Sequence, residues 1–209
     1  MNLSKIPGIK PGERHPNWGE LYQKSDESRL PWFFPSLDPD VEAELMNRRK
    51  EIQRVLDLGT GLGTQAALIE QMGFQVTATD IAPAAIQKAQ AKHPKVDFIV
   101  DDVTQTNLRG QFDCVVDRGC FHVLATKDYP SYVQAIKKIL RPRGLFLLKV
   151  FSREVGALEK GPLCFSDREL VTLFADSFNA LSLRRSVYHG STPTPPPAIF
   201  MVARKREAA

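Results

Sequence analysis

Residues 54–80 read RVLDLGTGLGTQAALIEQMGFQVTATD, and their order decides the fold. Val55-Leu56-Asp57-Leu58 is an apolar run short enough for a buried parallel strand. Gly59, Gly61 and Gly63 follow at alternate positions, where the missing side chains let the backbone turn sharply and approach a ligand. The spacing predicts a helix over 65–72, closed by Gly73, and a second strand over 75–79 that ends on Asp80. Strand, glycine loop, helix, strand and acid in that order form the first half of a doubly wound nucleotide-binding sheet. The helix start offers unpaired N–H groups, and a carboxylate at Asp80 is placed to accept two hydrogen bonds from a ribose diol.

Glycine spacing separates two kinds of ligand. A dinucleotide fingerprint needs its third glycine at position 64, which here is Thr64. The pattern is instead D-x-G-x-G-x-G, with Asp57 inside the end of the first strand. A carboxylate there repels a pyrophosphate but suits a ligand bearing an ammonium group. In these residues the chain resembles the class I S-adenosylmethionine-dependent methyltransferases. The resemblance implies S-adenosyl-L-methionine as cofactor and S-adenosyl-L-homocysteine as product. It gives Asp80 the ribose hydroxyls, Ile81 and Val103 the two faces of the adenine, and Asp102 the adenine amino group. A solvated strand end or helix cap is the alternative for Asp101 and Asp102.

Outward from this unit, the N-terminal 37 residues carry Pro7, Pro11, Pro16, Pro31 and Pro35 together with Trp18, Tyr22, Trp32, Phe33 and Phe34. So many aromatics imply burial, so the segment is expected to be irregular and to lie on the domain as a lid. The alternative is that its aromatics fill core. A helix over 39–50 with Asp38 as N-cap leads into the first strand. Beyond Asp80 the pattern predicts a helix over 84–92, strands over 96–100 and 112–116, and helices over 120–124 and 130–140. A strand over 145–151, a helix over 167–174 and two strands over 181–188 and 198–204 complete it. The expected architecture is α/β: a doubly wound, mostly parallel seven-stranded sheet with an antiparallel C-terminal hairpin. Residues 1–209 are expected to form one domain, with 1–37 as lid and 38–209 as Rossmann-like core.

Composition narrows the functional classes. The chain is 43% hydrophobic and 25% charged, as soluble globular proteins are. It has no apolar run near the roughly 20 residues that span a membrane, and its N-terminus lacks a signal-peptide core. Cys114, Cys120 and Cys164 are odd in number and lack CxxC spacing, which points to reduced thiols in the cytoplasm and to no metal site. Net charge is +4, and the basic cluster Arg204-Lys205-Arg206 reads as a solvated tail rather than a nucleic-acid patch. The expected partner is a small-molecule substrate, with no nucleic acid and no membrane, and the protein is expected to be a monomer or homodimer.

Ligands of open α/β sheets sit outside the C-terminal strand ends, which places 59–63, Asp80-Ile81, Asp102-Val103 and Asp117-Arg118 on one rim. Asp117-Arg118-Gly119, followed by Cys120-Phe121-His122-Val123-Leu124, is similar to the D-R-G segment of thiopurine S-methyltransferases. Gly161-Pro162-Leu163-Cys164-Phe165 with Glu169-Leu170 and Leu173-Phe174, and Leu30-Pro31-Trp32, resemble other segments of that family and of related thiol, halide and tellurite methyltransferases. Leu163 replaces the second proline of G-P-P, and Phe33-Phe34 replaces an acid and a glycine. The resemblance implies a methyl acceptor that is a thiol or other soft nucleophile, with O- or N-methylation of a small metabolite as the rival. Trp32, Asp117 and Arg118 are then cofactor contacts, and Trp18, Tyr22, Phe121 and His122 line the acceptor. Arg118 is a candidate cation beside the reacting thiol or a clamp on the methionine carboxylate, with an ion pair to Asp117 as the alternative. His122 is a candidate proton acceptor, with a helix-packing role as the alternative. His15 and His189 fall in loops and are given no role, and Cys120 reads as a small packing residue. A nicotinamide oxidoreductase is the rival from another class, opposed by Thr64 and Asp57.

Overall fold

A computed structural model describes residues 16–156 and 161–207. Pro7, Pro11, His15 and the rest of the first fifteen residues therefore lie outside the described part. The glycine-loop unit forms as its sequence predicts. β1 (Arg54–Leu58) runs into the loop, α3 (Thr64–Gln71) follows, and β2 (Gln75–Asp80) ends on the expected acid. Four further elements precede the sheet's turn: α1 (Trp18–Lys24), α2 (Pro39–Asn47), α4 (Pro83–Lys92) and β3 (Asp97–Val100). The second half supplies β4 (Phe112–Arg118), α5 (Tyr129–Ile139), β5 (Leu140–Ser152), β6 (Cys164–Phe165), α6 (Asp167–Phe174), β7 (Phe178–Val187) and β8 (Pro197–Lys205).

The sheet order is β3-β2-β1-β4-β5-β8-β7, with β6 paired to β5. Strands β1 to β6 pair in parallel, and β8 lies antiparallel between β5 and β7. Strand order runs outward in both directions from the β1–β4 boundary, the switch point where such sheets open a crevice. The short extra pair at β6 makes eight strands where seven were expected.

Two-residue alternation divides the core between the sheet's faces. Val55, Leu145 and Leu147 face one side with Val41 and Leu45 of α2, Ala66 and Ile69 of α3, and Ile86 of α4. Leu56, Leu58, Phe146 and Leu148 face the other, with Tyr132 and Ile136 of α5 and Leu170 and Phe174 of α6. Local signals fix the helix ends. Ser166 and Glu169 close a capping box on α6, and the Asp38 carboxylate accepts from Asp40 N–H at 3.2 Å to start α2.

Four expectations need correction. The N-terminal segment is not irregular throughout, because Asn17 accepts from Glu20 N–H at 3.1 Å and starts α1, which buries Leu21 and Tyr22. Helix α2 stops at Asn47 rather than at residue 50. The strand expected over 145–151 starts five residues earlier, since Leu140 already pairs with Phe112 across an irregularity in register. The helix expected over 120–124 is one 3₁₀ turn, Phe121–Val123.

Candidate active site

A cavity of about 330 Å³ opens at the carboxyl ends of β1, β2 and β4, against the switch point. Its floor is Leu58, Gly59, Thr79 and Asp80, and one side is Ile81 with residues 101–104. Gly119, Cys120 and His122 after β4 carry the floor toward β5, where Phe151, Pro162, Leu124 and Tyr188 form the other end. Pro16, Trp18, Tyr22 and Trp32 from the N-terminal segment close the top. Trp18 meets Trp32 edge-on at 5.8 Å between ring centroids and lies against Tyr22 at 6.4 Å.

The glycine loop explains why this roof can come so close. Gly61 adopts φ 58°, and a Cβ there would stand 2.8 Å from the Tyr22 hydroxyl oxygen. Gly61 N–H donates to Asp80 at 2.9 Å and Ala82 N–H donates to its other oxygen at 2.9 Å. Asp80 therefore stiffens the loop while still lining the cavity, and burial raises its carboxyl above the ordinary range. Gly63 does not face the cavity. Its left-handed φ of 81° caps α3, and a Cβ would lie 2.6 Å from the Phe98 ring, so its smallness serves helix–strand packing.

Asp57 lines a smaller adjoining pocket of about 60 Å³ that shares Tyr22, Trp32, Gly59 and Arg118 with the main cavity. Its carboxylate accepts from the Thr60 hydroxyl at 2.7 Å, and burial pushes it up to about 7. Asp101 and Asp102 both reach the cavity but differ in what they already hold. Asp102 accepts from Thr104 N–H at 2.9 Å, from the Thr104 hydroxyl at 2.7 Å and from Gln105 at 3.2 Å. One oxygen of Asp101 is buried with no hydrogen-bond partner among the described residues. Ile81 is 53% exposed at the rim, and Val103 is a buried part of the cavity lining.

Besides Gly63, the expectations for Asp117, Phe121, Arg118 and His122 change in the fold. Asp117 does not reach the cavity: it accepts from Gly119, Cys120 and Phe121 N–H at 3.0, 2.8 and 2.9 Å and from the Tyr132 hydroxyl. Its work is to hold the turn after β4, and burial lifts its carboxyl to about 6. Phe121 is fully buried among Tyr129, Tyr132, Phe165 and Phe174, so it is core and not acceptor wall. Arg118 reaches the cavity, but its polar head is taken. It pairs with Asp38 at 3.0 Å, donates to Trp32 O at 3.2 Å and to His189 O, and lies 4.6 Å above the Tyr188 ring. The ion pair is thus with Asp38 rather than Asp117, and Arg118 is not a free cation beside a reacting thiol.

His122 lines the cavity at 3% exposure and is not a base. Its Nδ1 receives the Phe151 N–H at 3.4 Å, and burial with the nearby Arg118 lowers the ring to about 3. Residues missed from sequence complete the far wall. Tyr188 donates its hydroxyl to Arg118 O at 2.7 Å, and Phe151 meets it edge-on at 4.9 Å between centroids. Both sit at ends of strands the pattern had located, and the rim rule applied to those strands would have found them. Lys149 was also missed: fully buried in β5, it binds Asp38 at 2.6 Å and Asp40 at 2.8 Å.

Comparison with known proteins agrees with this geometry. Residues 55–144 match the family described as a methyltransferase domain. An uncharacterised methyltransferase of Schizosaccharomyces pombe is 30% identical over 113 residues, covering 52% of this chain and 78% of that protein. The non-reducing polyketide synthase mapC of Penicillium roqueforti is 31% identical over 135 residues, 57% of this chain but only 5% of the synthase. Among solved structures, the Burkholderia thailandensis 1,6-didemethyltoxoflavin-N1-methyltransferase with bound S-adenosylhomocysteine superposes with TM-score 0.64 at 25% identity, covering 90% of this chain and 82% of that one. A chain solved in work on conversion of a disulfide bond into a thioacetal group during echinomycin biosynthesis shares the fold, with TM-score 0.78, 22% identity and coverage of 90% and 91%. The glycine loop, the acid that ends β2, the switch-point cavity and these relatives converge: the chain belongs to the methyltransferase family and is a class I S-adenosylmethionine-dependent methyltransferase.

Proposed function

We propose that the enzyme methylates a small molecule at a soft nucleophile, a thiol foremost, as the thiopurine, thiol, halide and tellurite methyltransferases it resembles do. The observation that carries this reading is the protonation chemistry of the cavity's β4–β5 end. His122 is held neutral with its Nδ1 lone pair engaged, and the Tyr188 hydroxyl already donates to backbone. Burial raises the Cys120 thiol far above its ordinary range. None of these takes a proton at neutral pH, so an acceptor that ionises by itself, or needs no ionisation, suits the site best.

The cofactor supplies an electrophilic methyl on a sulfonium sulfur, and the chain's task is alignment and exclusion of water. Gly59 and Gly61 would let the adenosine of a bound cofactor approach the loop, Asp80 and the residues at 101–103 would hold its hydroxyls and base with Ile81, and Asp57 would serve its ammonium group. Trp18, Tyr22 and Trp32 shield the reacting centre from above. The described residues before Asp38 serve as a lid on the core formed by the described residues that follow, in one domain. Three cysteines without a disulfide among the described residues suit a reducing, cytoplasmic setting.

A second reading is N-methylation of a small metabolite, favoured by the likeness to the 1,6-didemethyltoxoflavin-N1-methyltransferase solved with bound 1,6-didemethyltoxoflavin. Turnover with labelled S-adenosylmethionine across thiols, hydrosulfide, iodide, phenols and heterocyclic amines decides between them. Thiol and hydrosulfide methylation at rates exceeding those of phenols and amines by tenfold or more is expected. Turnover confined to amines or phenols overturns the soft-nucleophile reading.

A further inference from the structure

His122 carries an unused hydrogen-bond donor in the wall of the acceptor half of the cavity. Phe151 N–H points at Nδ1 from 3.4 Å, and an amide N–H only donates, so Nδ1 presents its lone pair. The ring is neutral, and its one proton is therefore on Nε2. Burial and the Arg118 guanidinium both oppose a second proton, which holds the ring in this form well below neutral pH. Among the described residues Nε2–H has no protein acceptor. The Tyr188 ring stands 5.5 Å away between centroids and its hydroxyl donates to Arg118 O, with no hydrogen bond from Nε2–H to its oxygen. A donor walled in by Phe151 and Tyr188 and opening on a cavity is satisfied by what enters that cavity.

Topology assigns the entrant. The glycine loop, Asp80 and Ile81 lie over β1 and β2, whereas His122 follows β4, Phe151 is on β5 and Tyr188 follows β7. The two halves meet where Cys120 abuts Gly59, and the His122 half runs from there toward β5, away from Asp80 and Ile81, which places His122 toward the methyl acceptor. We propose that His122 Nε2–H is the recognition donor for that acceptor, and that the enzyme selects molecules with an uncharged hydrogen-bond-accepting atom, a ring nitrogen or carbonyl oxygen, beside the nucleophile. The proposal rests on the reading of this cavity as a methyl-transfer site. It reverses the role expected from the sequence, in which His122 takes a proton. The flanking Phe151 and Tyr188 rings favour a flat, unsaturated acceptor.

The test uses two product-like probes that differ by one ring atom, 2-(methylthio)pyridine and thioanisole, titrated calorimetrically into the protein saturated with S-adenosylhomocysteine. The wild type is expected to bind the pyridine about tenfold tighter, the worth of one well-placed neutral hydrogen bond. His122→Phe is expected to bind the two equally. His122→Gln, which restores an amide donor, should recover a preference of about threefold. Binding of S-adenosylhomocysteine to all three proteins within twofold of each other shows the variants folded and tests the cofactor site separately. Its loss in the wild type would sink the methyl-transfer reading itself. Equal binding of the probes to wild type, binding of neither, or a preference that persists in His122→Phe overturns the proposal. In ¹⁵N spectra the wild-type ring should show the Nε2-protonated tautomer, with its proton resonance shifting on addition of the pyridine and not of thioanisole.

Discussion

His122 and Gly63 show how context redirects a residue type. A histidine beside a cavity ordinarily titrates near 6.5, but this one is neutral down to about 3 because burial and Arg118 both oppose its charge. Its folded value is depressed below the unfolded one, so the unfolded chain takes up a proton that the folded chain refuses as pH falls from 6.5 toward 3. Stability is lost over that window as the solution is acidified. Chemical denaturation of wild type and His122→Gln between pH 7 and 5 should show the wild type losing about 1.4 kcal/mol more per pH unit below 6.5. A parallel pair of curves would refute the burial argument. Gly63 reads in sequence as part of the ligand loop, yet a Cβ there meets Phe98 at 2.6 Å. Gly63→Ala should lower stability by about 1–3 kcal/mol in urea while leaving the Kd of S-adenosylhomocysteine within a few-fold of the wild type.

At the scale of elements, the roof and the sheet are joined by one chain of charges. Arg118 at the end of β4 meets Asp38 at the start of α2, Asp38 meets Lys149 in β5, and Lys149 meets Asp40, which pairs with Arg184 of β7. The Arg118 guanidinium also holds Trp32 O on the N-terminal arm and His189 O on the β7–β8 connection. These two arms also touch directly. Ser191 N–H donates to Pro31 O at 3.1 Å, the Ser191 hydroxyl donates to Leu30 O at 3.1 Å, and Phe34 stacks on His189 at 4.9 Å between centroids. Removing one member leaves buried charge uncompensated. Asp38→Ala should therefore cost about 3–5 kcal/mol in a denaturant melt, with a loss under about 1 kcal/mol counting against a network that matters. Gly190 lies so close to the N-terminal arm that a Cβ on it would stand 2.2 Å from Pro31 O. Gly190→Ala should part the arms and weaken S-adenosylhomocysteine binding about tenfold or more, read by quenching of Trp18 and Trp32 fluorescence.

Across the whole molecule, the glycine loop and its flanking strands were legible because they depend on local signals: apolar runs, left-handed glycines and an acid at a strand end. The parallel sheet followed from strands alternating with helices, and the closing antiparallel pair followed from two strands around a proline-rich turn. What stayed hidden depends on partners distant in sequence. Nothing near Arg118 announces Asp38, 80 residues away, and nothing near Lys149 in an apolar strand announces two aspartates at a helix start. Asp117 and Phe121 looked like site residues because they adjoin one. The turn after β4 consumes the first, and the aromatic core absorbs the second. Helix α1 escaped notice because prolines on both sides mask one short capped turn sequence. Methyl transfer here requires the switch-point cavity to hold the sulfonium nucleoside, and calorimetric titration of S-adenosylhomocysteine tests that most directly. Wild type should bind at one site with a Kd in the micromolar range or below, Asp80→Ala more weakly, and Gly61→Val, whose side chain would enter the Tyr22 hydroxyl, not measurably. No binding to the wild type, or undiminished binding to Gly61→Val, would contradict it.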